Sequence, residues 1–177
     1  VPVDSDSNGT ISETESNGIT DSGSVTVRGT SSFQTTGTNA NISLGTSTLG
    51  DGTGTDTITL NTTGSGGDAT LDNGTTVIVL GTSAASLATS VGGNLTLQTG
   101  NLSGITDSAT VTVGGRFYAT TDDNNGVINM DGLNILDGGT IKLTTDGSGN
   151  ATVVNALGLA FETSSIGGDL VATATNG

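Results

Sequence analysis

Two acidic stretches have the spacing that holds a divalent cation. In DSDSNGTISETE (Asp4–Glu15), Asp4, Asp6 and Asn8 occupy positions one, three and five of a twelve-residue loop. Gly9 stands at six, Thr10 offers a backbone carbonyl at seven, and Glu15 closes the loop at twelve. Calcium takes about six to eight hard oxygens, and this spacing wraps them round one ion. The flanks Val1–Val3 and Ser16–Asp21 do not read as paired helices, so the same residues also read as a strand and turn with acidic exposed positions. The second stretch is DGTGTDTI (Asp51–Ile58), with Asp51 and Asp56 as ligands on the pattern of glycine-rich calcium rolls. Such rolls hold the ion between tandem copies, and the related loop at Asp137–Ile141 is shorter. A polar corner is the simpler reading there.

Catalytic chemistry has little to work with. The chain has no His and no Cys, the usual bases and nucleophiles. Asp122/Asp123 or Asp21/Asp107 are the carboxylate pairs that glycoside cleavage would need. Arg116, next to Phe117 and Tyr118, is the only basic residue with aromatic neighbours. None of these rises above turn residues, and the expectation is that the protein is not an enzyme and requires no cofactor, with Ca2+ as the one candidate ion. Seven Asn-x-Ser/Thr triplets begin at Asn8, Asn41, Asn61, Asn73, Asn94, Asn101 and Asn150. A chain this rich in Asn, Ser and Thr produces them by chance.

The 177 residues carry a net charge of −14, with Arg28, Arg116 and Lys142 the only basic groups. Nucleic acid and anionic membrane surfaces both need clustered cations, so neither is an expected partner. No apolar run approaches the ~18 residues of a membrane span. No signal-peptide pattern opens the chain, so an exported protein would be represented by a mature chain or an internal segment. Aromatic content of 2% and 30 glycines lean towards disorder. Against that, Val, Ile and Leu recur in short alternating runs, the mark of half-buried strands.

Those runs lie in two copies of one unit. GITDSGSVTV (Gly18–Val27) returns as GITDSATVTV (Gly104–Val113), 86 residues on, with eight of ten positions identical. SVGGNLTLQT (Ser90–Thr99) likewise returns as SIGGDLVAT (Ser165–Thr173). Strands are expected throughout, among them Asn41–Leu44, Ala69–Leu71, Asn94–Gln98, Phe117–Thr120, Val127–Met130, Leu133–Leu136, Leu157–Phe161 and Asp169–Ala172. Turn signals such as DNG at Asp72–Gly74 separate them. No helical period is sustained, and the least poor candidate, Ser83–Thr89, is short. The two GITDS segments read as the turn that sets register. Two architectures fit an all-β chain of this kind. Tandem β-sandwich adhesin modules bury large aromatics, and here Phe33, Phe117, Phe161 and Tyr118 are the whole supply. A parallel β-solenoid instead fills a narrow interior with stacked small apolar side chains and turns its corners with Gly, Asn and Asp. The composition fits the solenoid, with residues 1–177 forming one continuous stack of two units, about 10–99 and 100–177.

The succession SVGGNLTLQTGNLSGITDSATVTVGG (Ser90–Gly115) resembles the repeats of filamentous-haemagglutinin-like giant bacterial surface proteins. The resemblance implies a right-handed parallel β-helix, an extracellular or cell-surface location, and roles in adhesion or in building a surface layer or filament. The chain ends in VATATNG (Val171–Gly177) about where its next unit would begin, and neither end reads as a capping repeat. A rod that joins copies of itself end to end, or flanking repeats of one longer chain, is the expected assembly. An adhesin segment binding glycan or a host protein is the alternative.

Overall fold

A computed structural model describes residues 11–81, 88–136 and 138–176. Among them there is no helix, and parallel strands stack as a β-solenoid of about 7 turns. The sandwich alternative is therefore not the fold. Asp4, Asp6, Asn8, Thr10, Asp137 and most of the Ser83–Thr89 helix candidate lie outside the described residues.

Three sides carry the strands. The first coil comprises β1 (Ile11–Glu15), β2 (Ile19–Thr20) and β3 (Val25–Val27). The second comprises β4 (Ser31–Thr38), β5 (Ile42–Leu44) and β6 (Ser47–Leu49). The third comprises β7 (Ile58–Thr63), β8 (Ala69–Asp72) and β9 (Ile78–Leu80), and the fourth β10 (Ser90–Val91), β11 (Leu95–Thr99) and β12 (Ile105–Asp107). Next come β13 (Val111–Val113), β14 (Phe117–Asn124) and β15 (Ile128–Ile135), which rounds a corner into the sixth coil. β16 (Ile141–Asp146) and β17 (Ala151–Asn155) complete that coil, and β18 (Leu170–Ala174) lies on the seventh. One side runs in the order β16-β14-β11-β8-β5-β2, every pair parallel.

Register explains why the apolar residues alternate. In-register parallel pairing puts equivalent side chains above one another, so each inward position becomes a column through the rod. Ile19, Ile42, Ala69, Leu95, Phe117 and Ile141 form one such column, all buried. Leu44, Leu71, Leu97, Ala119 and Leu143 form its neighbour. On another side the column is Ile78, Ile105, Ile128 and Ala151. Phe33 and Phe117 are buried inside the rod, but Phe161 is 40% exposed. Leu157–Phe161 does not form the expected strand, because only Phe161 bridges to Ile141.

GITD is more than a turn, and its two copies occupy different sides of the rod. Ile19 sits in β2 under β5, whereas Ile105 sits in β12 between β9 and β15. Both isoleucines are buried in strands, which corrects the reading of these segments as turns. The local job is nonetheless the same. Asp21 Oδ2 accepts the backbone N–H groups of Gly45 (3.0 Å) and Thr46 (2.9 Å) in the coil above. Asp107 accepts those of Asp131 (3.0 Å) and Gly132 (2.7 Å). Burial pushes the Asp107 carboxyl above the usual aspartate range, although those two N–H groups pull it down. Its ionised form is thus disfavoured by folding, and this contribution weakens stability as pH rises through that raised value.

Candidate functional site

Where strands give way to corners, the backbone ladder lapses and N–H groups need other acceptors. Asn and Asp side chains supply them, each reaching one coil onward. Asn41 Oδ1 accepts from Asp68 N (2.9 Å), Asp68 Oδ1 from Asn94 N (2.7 Å), and Asn94 Oδ1 from Arg116 N (2.9 Å). Asn61 does the same for Ser90 and Asn150 for Asp169, both at 2.8 Å. Asn101 caps Ser103 N–H at 2.8 Å and donates to Thr75 O at 2.7 Å. Every described Asn of the Asn-x-Ser/Thr triplets is thereby occupied by the architecture, Asn73 included.

At Arg116 the ladder stops, because its side chain offers no acceptor. A side-chain staple takes over on the outer face. Tyr118 O–H donates to Glu162 Oε2 at 2.9 Å, and Thr140 O–H donates to Glu162 Oε1 at 2.6 Å. Arg116 Nε lies 3.1 Å from the same Oε1. The Tyr118 ring also lies 5.7 Å from Lys142 Nζ and 6.0 Å from Arg116 Cζ, close enough for cation–π attraction. Tyr118 pairs with Lys142 directly above it, so its hydroxyl reaches past one coil to the next. Two of the chain's three cations and its single tyrosine thus converge on one carboxylate.

The hydroxyls of Thr140 and Tyr118, then the nearby Arg116 and Lys142, hold Glu162 below the usual glutamate range. The Tyr118 hydroxyl is pushed up, first by donating to Glu162. A lowered carboxylate pKa stabilises the fold above the ordinary value of about 4.3 and loses that contribution as pH falls through the folded value. Glu162→Gln should therefore speed backbone hydrogen exchange over residues 157–174 at pH 7. It should also remove the acid-induced rise in that exchange expected of the wild type below about pH 4.3. An unchanged wild-type acid profile in the variant would exclude the staple role.

The staple fastens the coil that exposes most apolar surface. Phe161 (40%), Leu170 (45%) and Val171 (53%) are exposed, with Leu157 beside them. Phe161 continues the Ile141 column and Leu170 the Ala151 column. Leu159 and Ile166 pack partly against the core. Between the sixth and seventh coils an open groove of about 330 Å³ is lined by Ile135, Leu136, Thr140, Leu157, Leu159 and Ala160.

The residues singled out for chemistry are scattered by comparison. Glu15 ends β1, so the last five positions of the Asp4–Glu15 loop run as extended strand beside Ser31–Thr35. Asp51 accepts the N–H (2.8 Å) and O–H (2.5 Å) of Thr53, which hold its carboxyl below the usual range. Asp56 accepts Asp51 N–H at 2.9 Å. Among the described residues no three His, Cys, Asp or Glu side chains gather as a metal group. Asp21 and Asp107 stand on the first and fourth coils, roughly 14 Å apart along the axis at about 4.8 Å per coil. Asp122 accepts Gln98 Nε2 at 3.1 Å. Neither the aromatic neighbours of Arg116 nor Glu162 itself signalled this staple in the sequence, since the groups acting on Glu162 lie 20 to 46 residues away. Comparison with protein-family models, with curated proteins and with solved structures finds no match.

Proposed function

We propose that this chain is a structural segment of an extracellular β-solenoid filament, lengthened by laying the first coil of a second copy on the seventh coil. One observation carries the reading. Phe161 and Leu170 stand exposed on columns that earlier coils bury, beside an edge of β18 that pairs with no other described strand. An open parallel edge backed by apolar side chains is a template for another strand. At the other tip, among the described residues, β1, β2 and β3 each pair on one edge only. Joining unlike ends does not close on itself and generates a filament. The acidic sheath, at −14 per chain, discourages sideways aggregation. The resemblance of Ser90–Gly115 to filamentous-haemagglutinin-like repeats supports the cell-surface setting.

Negative-stain images of the 177-residue chain should show rods of one width, growing in steps of roughly 34 Å for seven coils. Leu170→Asp should stop that growth while leaving the monomer folded, because the side chain is already solvated in the monomer. Monodisperse monomer at high concentration across the pH range from neutral to acid would refute the proposal. The Tyr118 face, flanked by Arg116 and Lys142, favours a second reading as an adhesin segment for an acidic glycan. A glycan-array signal lost in Tyr118→Ala would support it.

A further inference from the structure

We propose that end-to-end stacking is gated by protonation of Glu13 and Glu15, a control that rests on the stacking reading above. β1 pairs in register with β4, setting Glu13 opposite Phe33 and Glu15 opposite Thr35. Those two partners are 2% and 0% exposed, so their side chains point into the rod. The glutamates therefore occupy inward positions. Later coils fill the first column with Leu60, Val111 and Leu133, and the second with Val91, Val113 and Ile135. Coil 1 places carboxylates in columns that later coils fill with these apolar groups and with the uncharged Thr35 and Asn155.

In the single chain this arrangement is tolerable. Glu13 is only half-buried and Glu15 is exposed, so water still solvates both charges. A second copy's seventh coil, continued in the same register, would bring its Ala174 against Glu13. The column Leu133, Asn155 and Ala174 leads to that position. Among the described residues, the elements facing the pair bring no basic side chain against it. β4 has no ionisable side chain, and the inward residues of β2 and β3 are Ile19, Val25 and Val27. β18 has no ionisable side chain either, and Arg28 sits exposed at the corner after β3. Burying an ionised carboxylate against apolar neighbours is unfavourable, and taking up a proton relieves it. Inward charges at a strand edge are also a recognised guard against unwanted pairing. The two described tips are thus unequal: Phe161 and Leu170 are exposed at one, and Glu13 and Glu15 hold inward positions at the other.

Linkage sets the size of the effect. Each carboxylate protonated on stacking raises the association constant about tenfold per pH unit through the titration range. The test is sedimentation velocity of the 177-residue chain from pH 7.5 to 4.5, in 0.5 M NaCl to screen the general repulsion of the acidic surface. Wild type should pass from monomer to rods as pH falls, and Glu13→Gln/Glu15→Gln should form rods already at pH 7.5. Asp122→Asn/Asp123→Asn, removing the same charge from a corner, should behave as wild type. The gate is overturned if the glutamine variant keeps the wild-type pH profile or if the corner variant shifts it as far. It is also overturned if millimolar Ca2+ drives wild-type rods at pH 7.5 while acid does not. Monomer in all three proteins at every pH refutes the stacking reading itself and the gate with it.

Discussion

Asn73→Asp should destabilise the protein at pH 7 by about 4 kcal/mol and recover much of that loss in acid. Asn73 is 0% exposed. It follows β8, beside a place where the stack is faulted. Among the described residues the sheet of β3 and β6 has no third strand, because on the next coil the chain is drawn across to pair β9 with β7 and β12. The Asn73 amide stands in for the missing strand. Its Oδ1 accepts Leu49 N–H at 2.7 Å, and its Nδ2 donates to Leu49 O at 3.0 Å. The same Nδ2 lies within 3.1 Å of Val77 O and 3.3 Å of Thr76 O. A side-chain amide has one donor group and one acceptor, as a peptide unit does, which is why Asn fits here. An aspartate keeps the acceptor but turns a second oxygen on three carbonyls. Its pKa is then raised in the folded state, so stability is retained below the unfolded aspartate value and lost as pH rises through the folded one. Asn73→Leu, which cannot titrate, should lose about 3 kcal/mol at every pH. Urea titrations at pH 4.5 and 7 separate the cases. Equal losses for the aspartate variant at both pH values would show that the amide does not bridge the fault.

The second large effect is expected where the repeated motif meets its neighbours. Gly104→Ala should cost roughly 3–5 kcal/mol, and Gly18→Ala only about 1–2 kcal/mol. Both glycines have left-handed backbones, with φ of 68° at Gly104 and 112° at Gly18. Any L-residue is strained there. Surroundings separate the two. A Cβ on Gly18 would stand 3.0 Å from Asn41 O, a tight contact that a small shift relieves. On Gly104 it would overlap the Val127 carbonyl oxygen, which accepts Ile105 N–H at 3.0 Å. Relief would require parting the fourth coil from the fifth. The coil below resists movement the other way, since Ile78 N–H donates to Gly104 O at 3.0 Å. Urea midpoints of the two variants, compared with wild type, check the order. Equal destabilisation would mean that backbone strain alone, and not coil packing, fixes these glycines.

Much of the rod was legible before any coordinates. Alternation marked Ala69–Leu71, Asn94–Gln98 and Thr140–Thr144 as strands, each within one or two residues of the observed bounds, and the small apolar composition selected a stacked interior over a sandwich. Short strands escaped notice. Ser47–Leu49 and Ser90–Val91 offer two or three residues, too few for a period to show. Ile19–Thr20 and Ile105–Asp107 were hidden by flanking Gly and Asp, which are turn residues in most settings and here mark corners. The corner threonines were missed as well. Thr35, Thr121 and Thr145 each donate to a carbonyl four or five residues ahead, at 2.7–2.9 Å. A buried Thr in a strand looks like ordinary β-propensity until its corner is seen.

The amino-acid sequence by itself determined the local grammar of this protein: extended segments of period two, polar corners, no sustained helix, and an acidic sheath. Each follows from contacts within a few residues, where side-chain alternation and turn chemistry act directly. Only the tertiary structure decided which strand lies on which. Partners sit some 20 to 30 residues apart, and every side of the rod uses the same apolar and Thr alphabet, so a repeat of 86 residues need not return to the same side. It does not: Ile19 and Ile105 face different neighbours. Register came from the stacking of whole columns, and that same stacking exposed Phe161 and Leu170 at one tip and turned Glu13 inward at the other.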